Sequence, residues 1–125
     1  MALGEVRLDV PASPEFFRLA RIMVAGVASR GGFTLDALED LRLAIDELCF
    51  ALVGEGREGR LQLTLRLIPG GIEVEGDARF ADLPKRGPVL SALSQMILGT
   101  VVDGYEVILD ASARFRMVKR IAQVS

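Results

Sequence analysis

The stretch Leu38-Glu-Asp-Leu-Arg-Leu-Ala-Ile-Asp-Glu-Leu-Cys-Phe-Ala-Leu52 decides the fold. Leu38, Leu41, Ile45, Leu48 and Leu52 recur at steps of three and four residues, which stacks them along one side of an α-helix. Glu39, Asp40, Arg42, Asp46 and Glu47 lie off that stripe, so the segment reads as a helix with one face on a core. Thr34 is placed to cap it, Leu35-Asp36 opens it, and the polar, glycine-rich run Gly54-Glu-Gly-Arg-Glu-Gly59 ends it.

Upstream, Glu5-Val-Arg-Leu-Asp-Val10 alternates, with Val6, Leu8 and Val10 on one side and Glu5, Arg7 and Asp9 on the other. That period marks a half-buried strand, closed by Pro11. Ser13-Pro14-Glu15 supplies an N-cap, a proline at the first helical position and an acid in the first turn. From Phe16 to Ala28 most positions are apolar, and Arg18, Arg21 and Ser29 trace a narrow polar edge. The spacing predicts a largely buried helix stopped by Gly31-Gly32.

Downstream, Arg60 to Leu67 alternates again, with Leu61, Leu63, Leu65 and Leu67 inward and Arg60, Gln62, Thr64 and Arg66 outward. After Pro69-Gly70-Gly71 the run Ile72-Glu-Val-Glu75 keeps the same alternation, which predicts an antiparallel hairpin with one wet face. Phe80 to Pro88 is irregular, interrupted by Pro84, Gly87 and Pro88. Leu90 to Leu98 is a short helical candidate ending near Gly99. Tyr105–Leu109 and Ala113–Ile121 are the last two strands, joined by a tight polar turn at Asp110-Ala-Ser112.

The resulting order is β-α-α-β-β-α-β-β. Strands wet on one face, together with apolar helices, give an α+β fold built as a two-layer α/β sandwich, one sheet covered on one side by helices. Residues 1–125 read as a single domain.

Composition narrows the chemistry. Half of the 125 residues are hydrophobic and 26% are charged, a balance that buries a core rather than staying disordered. A net charge of −2 gives no bulk pull toward nucleic acid, so no direct nucleic-acid partner is expected. Cys49 is the only cysteine, which excludes an internal disulfide, and its place between Leu48 and Leu52 suits a small core residue. The N-terminus lacks a basic region followed by an apolar core, and no apolar run approaches the ~20 residues that span a bilayer. A cytoplasmic location with no membrane partner is therefore expected. Histidine is absent, which excludes Ser-His-Asp and Cys-His catalysis, imidazole proton shuttling and imidazole metal sites. Carboxylates, Lys and Arg, hydroxyls and backbone remain.

The segment Pro11 to Val53, and above all Leu38 to Cys49, resembles the opening half of the bacterial anti-sigma-factor serine kinases, a family within the histidine-kinase-like ATPase superfamily. The ending Phe115-Arg-Met-Val-Lys-Arg-Ile121 is similar to that family's final strand. The resemblance implies the histidine-kinase-like ATPase (Bergerat) fold. In the family, this helix carries a Glu that polarises the nucleophile and, four residues on, an Asn that holds Mg²⁺ on the bridged phosphates. A four-residue step puts both on one helix face. The Glu position here is Glu47, preceded by Asp46, and the Asn position is Ala51, which offers no metal ligand.

The family's second motif, Asp-x-Gly-x-Gly, corresponds to Glu75-Gly-Asp-Ala-Arg-Phe-Ala-Asp82. Asp77 can take the place of the adenine-reading Asp, with Arg79 and Ala81 then falling on the glycine positions; aligning Phe80 instead brings the Asp position near Gly76. The glycine-rich phosphate turn corresponds to Lys85-Arg-Gly-Pro-Val-Leu-Ser91, with one glycine and a proline that removes an N–H.

The resemblance thus implies a catalytic position at Glu47, a nucleotide-facing set of Asp46, Asp77 and Arg79, and weak or absent use of ATP and Mg²⁺. Implied partners are a sigma factor, an anti-anti-sigma protein and a second copy of the chain. An anti-sigma-like regulator with weakened nucleotide binding leads; an active ATP-dependent serine-protein kinase and a non-nucleotide α+β interaction domain are the alternatives. Read without the resemblance, Asp46 and Glu47 are solvated acids of an amphipathic helix, Asp77 is a turn residue past a strand end, and Lys85 and Arg86 are solvated loop charges. Arg114, Arg116, Lys119 and Arg120, with Arg7, Arg60 and Arg66, form a basic wet sheet face. The state of a pocket beside Glu47 and Asp77, open or filled by Arg79 and Phe80, separates these readings.

Overall fold

A computed structural model describes residues 4–81, 90–109 and 112–121. Strand β1 spans Val6–Pro11, helix α1 Phe17–Arg30, α2 Leu35–Val53, strands β2 and β3 Gly59–Ile68 and Gly71–Phe80, helix α3 Ala92–Val101, and strands β4 and β5 Gly104–Leu109 and Ala113–Arg120. The order matches the expected β-α-α-β-β-α-β-β. The strands form one antiparallel sheet in the order β1-β2-β3-β5-β4. Helices cover one face of it.

The long stripe of α2 does what its period predicts. Leu41, Ile45, Leu48 and Leu52 are fully buried against Leu61, Leu63 and Leu65 of β2, Ile72 and Val74 of β3, and Phe115 and Met117 of β5. The Thr34 hydroxyl accepts the Ala37 N–H at 3.2 Å, satisfying one of the donors left open at the helix start. No polar or charged residue is buried among the described residues, so apolar burial, at about 25 cal/mol per Å², holds the layers together. The β2–β3 hairpin turns at Pro69-Gly70, where Gly70 takes φ 73°, a conformation that an L side chain resists.

Several boundaries differ from expectation. Ser13 makes no side-chain cap; Pro14–Phe16 form one 3₁₀ turn and α1 begins only at Phe17. Helix α1 is less buried than its composition suggests, with Leu19 and Ile22 on the surface, because only one side meets β2 and α2. Helix α3 starts at its Ser91 cap and runs through Gly99 to Val101. Strand β3 continues five residues past Glu75, because β2 and β5 flank it and supply hydrogen-bond partners on both sides. The expected turn at Asp110-Ala111 and the loop carrying Asp82, Lys85, Arg86 and Gly87 lie outside the described residues.

Candidate functional site

Glu47 sits on the side of α2 turned toward α3 and is half-buried. Ser94 Oγ donates to Glu47 Oε2 at 2.6 Å. Ser94 is held in turn by Ser91: the Ser91 hydroxyl donates to Ser94 Oγ at 2.9 Å, and the Ser94 N–H donates back to Ser91 Oγ at 3.0 Å. The carboxylate therefore lies at the first turn of α3, where unpaired N–H groups favour negative charge. Ser91-Ala-Leu-Ser94 ahead of an apolar run is a readable helix start, but the contact with Glu47 spans 47 residues and leaves no local sequence signal.

One turn beyond Glu47, Ala51 is buried at 2% exposure and brings only a methyl group. Asp46 points the other way, pairing with Arg21 of α1 at 2.6 Å and tying the two helices together. Cys49 is fully buried, and burial pushes its thiol pKa well up, with the nearby Asp46 charge adding to the rise. A buried, fully protonated thiol is a poor nucleophile.

Asp77 and Arg79 lie elsewhere. The pleat of β3 sends Ile72, Val74, Gly76 and Ala78 toward the helices and Glu73, Glu75, Asp77 and Arg79 to the open face. Asp77 is thus a strand residue rather than a turn residue. It stands in register with Gln62 and Arg114, on the side of the sheet opposite Glu47. Arg79 Nη2 is 4.0 Å from Asp77 Oδ2, and its side chain is exposed. The position facing the helix layer beside Asp77 is Ala78, at 5% exposure. Phe80 does fill inner space, packing on the core with the Arg57 guanidinium 3.9 Å from its ring centroid.

The four sequence-derived positions therefore divide, Glu47 and Asp46 in the helix layer and Asp77 and Arg79 on the wet face. Donors for a metal are thin near Glu47: Ala51 has none, and the Glu47 carboxylate already accepts from Ser94. No group of three or more His, Cys, Asp or Glu suited to a metal occurs among the described residues. These residues do not fit the Mg²⁺–nucleotide set that the resemblance implies.

The open face is a shallow concavity of about 680 Å³ with charges in alternating columns. Arg66 of β2 reaches Glu5 at 2.8 Å, Glu75 at 3.0 Å and Glu73 at 3.2 Å, and Arg116 of β5 reaches Glu73 at 2.7 Å. The Arg116 hydrogen bond holds the Glu73 carboxyl below its ordinary range. Gln62 and Arg60 do the same for Asp9, and Arg7 and Arg66 for Glu5. Lys119, expected on this face, turns inward instead: its Nζ donates to the Val101 carbonyl at 2.6 Å and stands 3.6 Å from Asp40. It caps the end of α3 rather than joining a basic edge. None of the described helices is long and apolar enough to cross a membrane.

An antiparallel five-stranded sheet covered on one side by three helices, with Glu47 on the second helix facing the third, is a two-layer α+β sandwich compatible with the histidine-kinase-like ATPase fold. No family model matches the chain. It is 35% identical over 81 residues to the serine-protein kinase RsbW of Bacillus subtilis (strain 168), a match covering 58% of this chain and 51% of that protein. RsbW of Bacillus velezensis is 43% identical over 44 residues, covering 35% of this chain and 28% of that one. RsbW of Listeria monocytogenes serotype 4a is 44% identical over 43 residues, covering 34% and 27%. The chain spans about half the length, or less, of these curated relatives. Over these spans the chain is similar to serine-protein kinases of the RsbW type, in line with the resemblance carried by α2.

Proposed function

We propose that this protein is an anti-sigma-type regulator that acts by binding a sigma factor or an anti-anti-sigma protein, with nucleotide binding weakened or lost. The observation that carries the reading is the Glu47 carboxylate, committed to Ser94 of α3 at 2.6 Å with buried Ala51 one turn beyond it. Phosphoryl transfer rests on positioning and charge neutralisation, and a site that lacks its metal ligand loses the larger part of both. Binding a protein partner requires only the folded surface. Titration calorimetry with Mg²⁺-ATP, and separately with candidate sigma and anti-anti-sigma proteins, tests this. The expected result is partner binding that is indifferent to nucleotide; micromolar binding of Mg²⁺-ATP overturns the reading.

The retained Glu47 favours a second reading, an active serine-protein kinase. A carboxylate that accepts a serine hydroxyl at 2.6 Å has the geometry of a base on its acceptor. Transfer of label from ATP to a partner's serine, lost in Glu47→Ala, would establish it. Assembly with a second copy is a further part of the proposal.

A further inference from the structure

We propose that the open face of the sheet binds a small zwitterion, an apolar α-amino acid, at the row formed by Gln62, Asp77, Arg114 and Ile108. These residues come from β2, β3, β5 and β4 and stand side by side in register across the sheet. All four line the concavity of about 680 Å³, a volume within the range of small-molecule sites. It lies on the opposite side of the sheet from Glu47, so the inference goes beyond partner binding and does not depend on it.

The ion pairs of this face leave that row out. Toward one end of the sheet Arg7 and Arg66 are committed to Glu5, and Arg66 and Arg116 to Glu73. Toward the other end Arg60 and the Gln62 amide N–H both go to Asp9. Between these two sets Asp77 and Arg114 are cross-strand partners of opposite charge, yet no ion pair joins them. Among the described residues Asp77 has only Arg79 at 4.0 Å and no hydrogen bond, and Arg114 has neither a hydrogen bond nor an ion pair. An acceptor-only carboxylate and a five-donor guanidinium thus face the concavity with their capacity unused.

A ligand carrying both charges on neighbouring atoms completes the pair. Residues directly opposite in an antiparallel sheet stand roughly 5 Å apart, which suits two groups attached to one carbon. The ammonium of an α-amino acid set over this step meets Asp77 and the Gln62 amide oxygen, which is left to accept because Gln62 Nε2 donates to Asp9 at 3.1 Å. Its carboxylate meets the Arg114 guanidinium, whose planar fork takes both oxygens. The next position in the row is Ile108, half-buried and its one apolar side chain, which favours an apolar ligand side chain. Glu106, two residues before Ile108 on the same face, repels an acidic one.

The test is an amide NMR titration of the full chain with L-leucine, beside N-acetyl-leucine, leucinamide and glutamate. Leucine should shift the amides of β3 and β5 around Asp77 and Arg114 saturably. The two capped forms, each lacking one charge, and glutamate should bind about tenfold more weakly. Asp77→Asn and Arg114→Gln should each weaken leucine by about tenfold, and Arg18→Gln on α1 should leave it unchanged. Both site positions are on the open face, and the amide spectrum of each variant confirms its fold. No saturable shift at about 10 mM leucine overturns the site. Shifts confined to the helix layer, or binding that survives both substitutions, overturn it as well. A capped form that binds as tightly as leucine overturns the zwitterion, and glutamate binding as tightly as leucine overturns the apolar selection by Ile108 and Glu106.

Discussion

Ser94 Oγ lies 2.6 Å from Glu47 Oε2, and this hydrogen bond fastens α3 to α2. Helix α3 has only two buried side chains, Leu98 and Val101, against eight on α2. Polar contacts at its two ends, Ser94–Glu47 and Val101 O–Lys119, therefore carry an unusual share of its attachment.

Glu47→Ala and Ser94→Ala should each lower the stability of the protein. In a double-mutant cycle the pair should show a coupling of about 1 kcal/mol, as expected for a partly buried hydrogen bond to a charged acceptor. Urea unfolding curves measure it. Coupling near zero would mean that the carboxylate is free for other work.

Gly76 of β3 has no Cβ, and the ring of Phe115, its partner on β5, occupies that space. Phe115 is itself buried at 3% exposure and cannot easily swing away. Gly76→Ala should therefore destabilise the fold by about 1–3 kcal/mol through overpacking. Gly104→Ala, with open space around it, should cost much less. Thermal melts of the two variants side by side provide the check.

Glu73 on the wet face has its carboxyl pKa lowered by the Arg116 hydrogen bond, with Arg66 adding charge attraction. A folded-state pKa below the unfolded one means that the stabilisation is complete above the unfolded value, near pH 4.5, and is lost as pH falls below it. Glu73→Gln should reduce stability at neutral pH and flatten its decline on the acid side. Unfolding curves collected from pH 7 down to the acid transition would show no difference in slope if the pair contributes nothing.

Cys49 should be inert in the folded protein, since burial raises its pKa and no solvent reaches it. Thiol-reactive dyes should label it only as fast as the chain opens, and at once in denaturant. Rapid labelling under native conditions would mean that α2 leaves the core far more often than its packing allows.

The sequence by itself determined the elements whose signal is periodic. The stripe of α2, the alternation of β1 and β2, and the Pro69-Gly70 turn gave the element order and the two-layer sandwich, because burial on one face imposes a period of 3.6 or 2 that any single segment displays. Glu47 and Ala51 were singled out by the resemblance of that helix to the kinase family; its period alone reads Glu47 as a solvated acid. Only the tertiary structure decided where side chains outside those patterns point. Asp77 looked like a turn residue because four glycine, acidic and basic residues follow Val74 with hardly an apolar one; flanking strands 13 or more residues away extend β3 and carry Asp77 to the wet face. Lys119 follows buried Phe115 and Met117 at two-residue steps and stands opposite Ile72, so the pleat sends it to the helix side, where packing of α3 supplies the Val101 carbonyl. Ser94 became the partner of Glu47 because packing α3 against α2 brought a hydroxyl to a carboxylate 47 residues away. Periodicity is a local property, whereas the pairing of polar groups depends on which elements meet.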